Sequence, residues 1–421
     1  MGCFAGRFGR VEPRRAAAGF VTGLPADLEV KTCWQLAEQA GHARPDAMQR
    51  LLYRAVWDAD AVRDDLRQLV TDRLGGPDAV LSVDETGDLK KGTHTVGVQR
   101  QYTGTAGRIE NSQVGVSLGY AGADGHTLID RRVYLPASWT DDPDRCRAAG
   151  VPDEIEFATK PELAADMITA ALDTGGQAGW AAADEAYGNS AAFRALLREH
   201  RLGYVLAVSC SHLVPLDGGK TRLRADRIAA GLPASAWQRR SAGAGSKGPC
   251  FHDWAWLDDV CTDVDPDDGG HHSLLIRRNT TTGELAFYRC WTPKPATLAQ
   301  LVRVAGIRWS IEESFQAAKS QVGLDQHQVR RWDSWYRFTT LAPAALAVLG
   351  ICAANATNDD STDTELIKLT VNEIRRLINA CIIHPTNDLA HRLRWSGWRR
   401  LHQARARRSH YTRRLNLEHQ P

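Results

Sequence analysis

The run Ala79-Val80-Leu81-Ser82-Val83-Asp84-Glu85-Thr86-Gly87 decides how this chain folds. A short apolar, β-branched run that ends in an acid has the pattern of a buried strand, with Asp84 at its carboxyl end. Gly87 marks the exit from that strand, and Asp88 falls in the loop beyond. Further on, Trp180-Ala181-Ala182-Ala183-Asp184 repeats the arrangement: a second buried strand, again ending in an acid, then Gly188 and a helix from Ser190 to His200. Between the two, Val114 to Tyr120 and Thr127 to Leu135 flank Ala123-Asp124-Gly125, a hairpin signal. Pro161 to Leu172 reads as an amphipathic helix stopped by Gly175-Gly176, and Tyr204 to Val208 as one more strand. The order strand, hairpin pair, helix, strand, helix, strand predicts an α/β fold with a mixed sheet and helices on both faces. If the fourth strand lies parallel beside the first, Asp84 and Asp184 meet at one end of the sheet. Either aspartate alone would serve equally as a turn residue or helix cap; their joint placement argues for a site.

A third acid comes from Arg308-Trp309-Ser310-Ile311-Glu312-Glu313-Ser314-Phe315-Gln316-Ala317-Ala318-Lys319. On one continuous helix, at about 100° per residue, Arg308, Glu312 and Lys319 fall within about 40° of one another. Val304, Ile307, Ile311, Phe315, Ala318 and Val322 form an apolar stripe beside that edge, while Glu313 points to solvent. The register therefore selects Glu312 as the acid pressed towards the core.

The flanks divide the chain. Residues 1–76 read as a helical region, with one helix from Ala26 to Gly41 and the next opened by Pro45. Ala37 and Gly41 have helix-turn-helix spacing, which an ordinary helical bundle also meets. Residues 77–208 hold the strands and aspartates described above. Within them, the stretch from Gly87 to Asn111 is rich in glycine and threonine and carries Lys90, Lys91, Arg100 and Arg108; it fits either a phosphate-contacting segment or a plain surface loop. Residues 209–295 contain short strands at Phe251 to Trp256, Ser273 to Arg278 and Leu285 to Trp291, a β-rich insertion. Residues 296–352 return to the core with the Glu312 helix and an apolar helix from Thr339 to Cys352. Residues 353–421 hold a polar linker from Asn355 to Asp363 and a basic helical end.

Composition bounds the function. The 421 residues are 43% hydrophobic, enough for a sizeable core. No apolar run has the length of a membrane span and no signal-peptide pattern is present, so a cytosolic protein without a membrane partner is expected. The nine cysteines are scattered and include no C-x-x-C, which favours reduced thiols. Net charge is only +2, yet His391 to Arg414 carries nine arginines, Arg399 and Arg400 among them, and no acid. The rest of the chain is therefore mildly acidic, and the basic end suits phosphate contact and a solubility role equally well. Cys250, His252, Cys261, His271 and His272 match no zinc spacing. Asp263-x-Asp265-x-Asp267 lacks the glycine and closing glutamate of a calcium loop.

Two strand-end aspartates and a helix-borne glutamate are the oxygen donors that a two-metal phosphoryl-transfer site requires, with Arg308 and Lys319 placed to contact phosphate. The three motifs Val83-Asp84-Glu85-Thr86-Gly87, Asp184-Glu185-Ala186-Tyr187-Gly188 and Arg308-Trp309-x-Ile311-Glu312-x-x-Phe315-x-x-x-Lys319 resemble the DDE-type insertion-sequence transposases with a ribonuclease-H-like core. The resemblance is to the branch with a Tyr-x2-Arg-x3-Glu-x6-Lys signature; here Ala305 stands at the tyrosine position. It implies a ribonuclease-H-like fold, with Asp84, Asp184 and Glu312 as catalytic metal ligands for two Mg2+ or Mn2+ ions. It further implies cleavage of transposon-end DNA and joining of the 3′-hydroxyl to target DNA, by a homodimer in the bacterial cytosol and nucleoid. Lys90, Lys91, Arg100, Arg108, Arg308, Lys319, Arg399 and Arg400 would be the DNA contacts. In some relatives the insertion supplies a tryptophan that stabilises a flipped base; Trp254 and Trp256 lie in the corresponding region, where alternating core tryptophans are the plainer reading. A transposase-derived DNA-binding protein that no longer cuts, and a metal-dependent nuclease that does not join, share the same residue pattern.

Overall fold

A computed structural model describes residues 2–245, 248–258, 260, 269–358, 368–383 and 388–418. Cys261 and the Asp263, Asp265 and Asp267 run lie outside these residues, as does most of the linker expected from Asn355 to Asp363. The chain begins with four helices: α1 (Val11–Gly23), α2 (Cys33–Gln39), α3 (Asp46–Tyr53) and α4 (Ala59–Leu74). The single helix expected from Ala26 to Gly41 is thus only its second half. Thr32 caps α2 by accepting the Gln35 N–H, and Gly41, at φ 77°, follows its end.

Four strands follow: β1 (Val80–Leu89), β2 (Gln99–Thr103), β3 (Arg108–Ala121) and β4 (His126–Val133). The short helices α5 (Ala137–Thr140) and α6 (Pro143–Ala149) lead to α7 (Lys160–Asp173), which opens with a capping box between Thr159 and Glu162. Next come β5 (Trp180–Ala183), α8 (Glu185–Gly188), α9 (Ala191–Glu199) and β6 (Gly203–Val208). A small hairpin of β7 (Leu213–Leu216) and β8 (Thr221–Arg224) and the helix α10 (Ala225–Ala230) precede β9 (Gln238–Gly245), β10 (Gly248–Leu257), β11 (His271–Arg278) and β12 (Leu285–Thr292). The chain ends with α11 (Leu298–Ile307), α12 (Ser310–Val322), α13 (Trp332–Asn358), α14 (Val371–Cys381) and α15 (Leu389–Glu418).

The central sheet has ten strands. β1 pairs antiparallel with β3 along its whole length, and parallel with β5 from Val80↔Trp180 to Val83↔Ala183. β6 extends the sheet parallel to β5, while β4 and β2 share the far edge of β3. This mixed sheet with helices on both faces is the architecture the strand order predicts. The β-rich region does not stand apart, because β12 pairs antiparallel with β6 and β11, β10 and β9 follow in order. Trp254 belongs to the core there: it is 1% exposed and its indole N–H donates to the Arg240 carbonyl.

Three corrections concern the site. β1 does not stop at Asp84 but continues to Leu89, so Asp88 is a strand residue rather than a loop residue. Gly87 is not an exit from the strand; a Cβ at that position would lie 2.1 Å from Thr103 Oγ1, so the glycine permits a close approach of β2. The expected continuous helix across Arg308 is divided into α11 and α12 at Arg308 and Trp309, which nevertheless keep right-handed helical dihedrals, so the i,i+4 relation of Arg308 to Glu312 holds. The apolar stripe divides accordingly. Val304 packs with Val80, Ala182 and Val205, whereas Ile311, Phe315, Ala318 and Val322 join the larger core built with α13.

Also corrected is the expectation that no segment could span a membrane, since Trp332–Ala356 is long and apolar enough by composition. Most of its apolar window is buried in the fold, against α4, β4 and α12 among others, so it serves as the central core helix. One charged cluster fixes α4 to the sheet. The Asp130 carboxylate on β4 is fully buried and faces four guanidiniums: Arg67 at 2.5 Å, Arg132 at 3.1 Å, and Arg63 and Arg131 each at 3.4 Å. Burial works against its charge, but the four arginines prevail and hold its pKa below the ordinary carboxylate value. An Asp130→Asn change removes the buried counter-charge those cations share, leaving Arg63, Arg67 and Arg131 only the more exposed Asp60 and Asp64, and is expected to cost about 3–5 kcal/mol in urea unfolding at neutral pH. Because the folded pKa is depressed, that contribution exists above the ordinary carboxylate pKa and fades as pH falls through the folded value. The gap between wild type and variant should therefore narrow in acid.

Candidate active site

The parallel register carries Asp84 and Asp184 to the same level, one step beyond the Val83↔Ala183 pair. Each is oriented by the backbone. Asp84 Oδ1 accepts the Glu85 N–H at 2.8 Å, and Asp184, the N-cap of α8, accepts the Ala186 N–H with Oδ1 at 2.9 Å. Each aspartate is thereby held by one oxygen. Strand alternation puts Asp84, Thr86 and Asp88 on one face of β1, with Glu85 on the other. α12 runs along the first face. Arg308 donates to Glu312 Oε1 at 3.1 Å and places its other terminal nitrogen 3.7 Å from Asp84 Oδ2. Lys319 donates to Thr86 Oγ1 at 2.7 Å, and His327 Nε2 lies 3.0 Å from Asp88 Oδ2. Three rungs thus tie β1 to the segment from Arg308 to His327.

On the opposite face, Glu85 accepts from Lys160 at the start of α7 and from the Tyr187 hydroxyl at 2.6 Å. Burial, followed by the neighbouring Glu85, pushes the Tyr187 phenol well above its usual pKa, so it stays a donor. The sequence motifs contain Glu85 and Tyr187, but only the three-dimensional pairing shows that they lock α8, and with it Asp184, against β1. The signal for Lys160 was absent from any motif.

The expected DNA contacts separate into groups. Lys91, Arg100, Arg108 and Arg400 are exposed. Lys90 is corrected: its side chain is only 7% exposed, lies 3.7 Å from Asp88 and donates to the His327 carbonyl, so it is a structural cation. Arg399 is ion-paired with Glu38 on α2, and Trp395 donates to the His42 carbonyl, so this part of α15 is an anchor onto the N-terminal helices. Beyond it, Arg405, Arg407, Arg408, Arg413 and Arg414 are all exposed. Glu313 is 57% exposed and faces His126 at 3.3 Å, away from the aspartates, whereas Glu312 is linked to Asp84 through Arg308.

The donors fit a hard divalent cation in kind: they are carboxylate oxygens, and a cationic group already lies between two of them. They are not yet gathered. Among the described residues, no three acid, histidine or cysteine side chains are close enough to hold an ion. The guanidinium of Arg308 occupies the gap.

The sequence model of the DDE superfamily endonuclease family matches residues 3–225, more than half of the chain. The chain belongs to that family. The matched part includes Asp84 and Asp184 and ends before Glu312. Among curated proteins, the chain is 32% identical over 196 residues to the probable transposase for insertion sequence element IS701 of Microchaete diplosiphon. That alignment covers 46% of this chain and 48% of the relative, about half of each. A cryo-EM structure of the piggyBac transposase synaptic complex with hairpin DNA aligns over 91% of this chain and 75% of its own, with 11% identity and a TM-score of 0.48. DDE superfamily endonucleases generally use divalent metal ions.

Burial first, and the nearby Asp184 and Glu85 next, raise the Asp84 pKa to about 7; the Glu85 N–H and Arg308 act in the opposite sense. Asp184 is raised as well, chiefly by burial and by Glu85. A carboxyl with a raised folded pKa favours the fold when neutral, and that advantage is lost as pH rises through the folded value. In metal-free protein, Asp84→Asn should therefore raise the melting temperature at pH 8, with the difference from wild type vanishing near pH 4, as thermal melts across pH would show.

Proposed function

We propose that this protein is a transposase that cuts transposon-end DNA and joins the freed 3′-hydroxyl to target DNA by metal-dependent phosphoryl transfer. The observation that supports the reading is that parallel register brings Asp84 and Asp184 to one level of the sheet, while Arg308 links Asp84 to Glu312. Asp84, Asp184 and Glu312 would be the residues to hold divalent ions, which would supply Lewis-acid activation of the attacking oxygen and charge neutralisation at the scissile phosphate. The chain's own part is to hold the carboxylates in place. The Glu85 and Ala186 N–H groups each fix one aspartate oxygen, and Glu85, Lys160 and Tyr187 brace the strand ends from behind. Arg308 and Lys319 stand on the same side as Glu312, where their donors can meet phosphate oxygens.

The exposed cations Lys91, Arg100, Arg108 and Arg400 and the exposed arginines Arg405, Arg407, Arg408, Arg413 and Arg414 of α15 are assigned to backbone contact with DNA. The helical regions 1–76 and 353–421, joined through Arg399 and Trp395, would act as one binding unit, and a homodimer would pair two transposon ends. Both cleavage and joining can be read on labelled end DNA with Mg2+ or Mn2+. Asp84→Asn, Asp184→Asn and Glu312→Gln are each expected to lower cleavage at least about a thousandfold, since they remove several kcal/mol of transition-state stabilisation, with DNA retention nearly unchanged. Glu313→Gln should stay within about threefold of wild type, as its partner is His126 and not the cleft. Cleavage that survives all three substitutions sinks the proposal, and ends that are cut but never joined would make the protein a nuclease.

A further inference from the structure

The Arg308 guanidinium is the single cationic group between Asp84 and Glu312 among the described residues, reaching Glu312 with one terminal nitrogen and Asp84 with the other. A divalent ion such as Mg2+ needs its oxygen ligands at roughly 2.0–2.1 Å, which draws carboxylates together more closely than a guanidinium between them allows. The two occupants are therefore alternatives. We propose that Arg308 is a place-holder cation: it neutralises the carboxylates before metal arrives, competes with metal for them, and is drawn off when a DNA phosphate offers it a new partner. This inference rests on the metal-binding reading of the three carboxylates above.

Three features make the exchange physically reasonable. Arg308 lies at the junction of α11 and α12, and its guanidinium is held at its tip by a 3.1 Å contact to Glu312 and a looser 3.7 Å contact to Asp84. Its side chain is 21% exposed, giving it access to solvent and to an incoming phosphate. Trp309 beside it is 56% exposed, with the guanidinium carbon 6.0 Å from the ring centroid, so an aromatic face is at hand when the carboxylates are released. Guanidinium pairs well with either a carboxylate or a phosphate through two parallel donors, which makes the transfer between them one of like interactions. The consequence is coupling. DNA that takes Arg308 favours metal, and by reciprocity metal favours DNA, so that ions are loaded chiefly when DNA is in place.

Lys319 supplies the contrast. It is also cationic and lies on α12, but its ammonium donates to Thr86 and does not bridge the carboxylates. If only net charge mattered, removing either cation would tighten metal binding alike, and a lysine in place of Arg308 would change nothing.

The test is Mn2+ binding to the full-length chain without DNA, followed by electron paramagnetic resonance of free Mn2+, with thermal melts confirming that each variant folds. Arg308→Gln should tighten Mn2+ binding about tenfold. Arg308→Lys, which keeps the charge but cannot reach both carboxylates at once, should tighten it several-fold, and Lys319→Gln clearly less than Arg308→Gln. Adding Asp84→Asn to Arg308→Gln should abolish the gain. Arg308→Lys binding as wild type does, or Lys319→Gln matching Arg308→Gln, overturns the place-holder role while leaving the metal site intact. If Asp84→Asn alters Mn2+ binding in neither background, the metal site itself is misplaced and the inference falls with it.

Discussion

The alignment of β1 with α12 is the constraint on which the rest of the site depends. One face of the strand presents Asp84, Thr86 and Asp88, and the segment running beside it answers with Arg308, Lys319 and His327 in the same order. Each rung is polar and partly or wholly buried, so a slip of one residue along β1 would turn all three side chains to the other face and leave their partners unpaired. The register of β1 against β5 then fixes Asp184 beside Asp84. Glu312 is tied to Asp84 through Arg308 because this ladder sets where α12 lies along β1. The helix is held from its other side by Ile311, Phe315, Ala318 and Val322 in the core around α13.

Charge is arranged in two tiers. Buried charges are matched with opposite charges, Asp130 among four arginines and Asp88 with Lys90, and the half-buried Glu85 pairs with Lys160. These fix elements to one another and account for several of the chain's cations. The cleft is different. Its aspartates are pushed towards neutrality by burial, and a single arginine serves two of its three acids. A site short of positive charge is what a binder of divalent cations requires. Family membership and the half-length likeness to an insertion-sequence transposase are consistent with that arrangement, without extending to the end of the chain.

Much of this was legible in the sequence because the signals were local. The buried runs before Asp84 and Asp184, the hairpin at Asp124-Gly125 and the helical spacing around Glu312 each follow from period and turn chemistry alone. What could not be read depended on partners distant in sequence. Gly87 looked like a strand exit because its true reason, the approach of Thr103, lies on another strand. Arg308 and Trp309 continue a helical pattern, yet the stripe serves two cores, and the helix divides into α11 and α12 where they part. Lys90 and Arg399 were grouped with surface cations because nothing in their own neighbourhood named Asp88 or Glu38 as partners. Lys160 and the four arginines around Asp130 carried no pattern at all. The helix α13 extends beyond the apolar run from Thr339 to Cys352 at both ends, and at its start the polar residues Asp333, Ser334 and Arg337 hide it from an apolar pattern.

The central claim is that Asp84, Asp184 and Glu312 form one metal site that closes when Arg308 leaves it. The most direct measurement is anomalous diffraction from crystals of the protein bound to transposon-end DNA and soaked in Mn2+. The account predicts Mn2+ peaks ligated by oxygens of all three carboxylates, with the Arg308 guanidinium against a DNA phosphate. Mn2+ bound elsewhere, or bound while Arg308 still bridges Asp84 and Glu312, would contradict it.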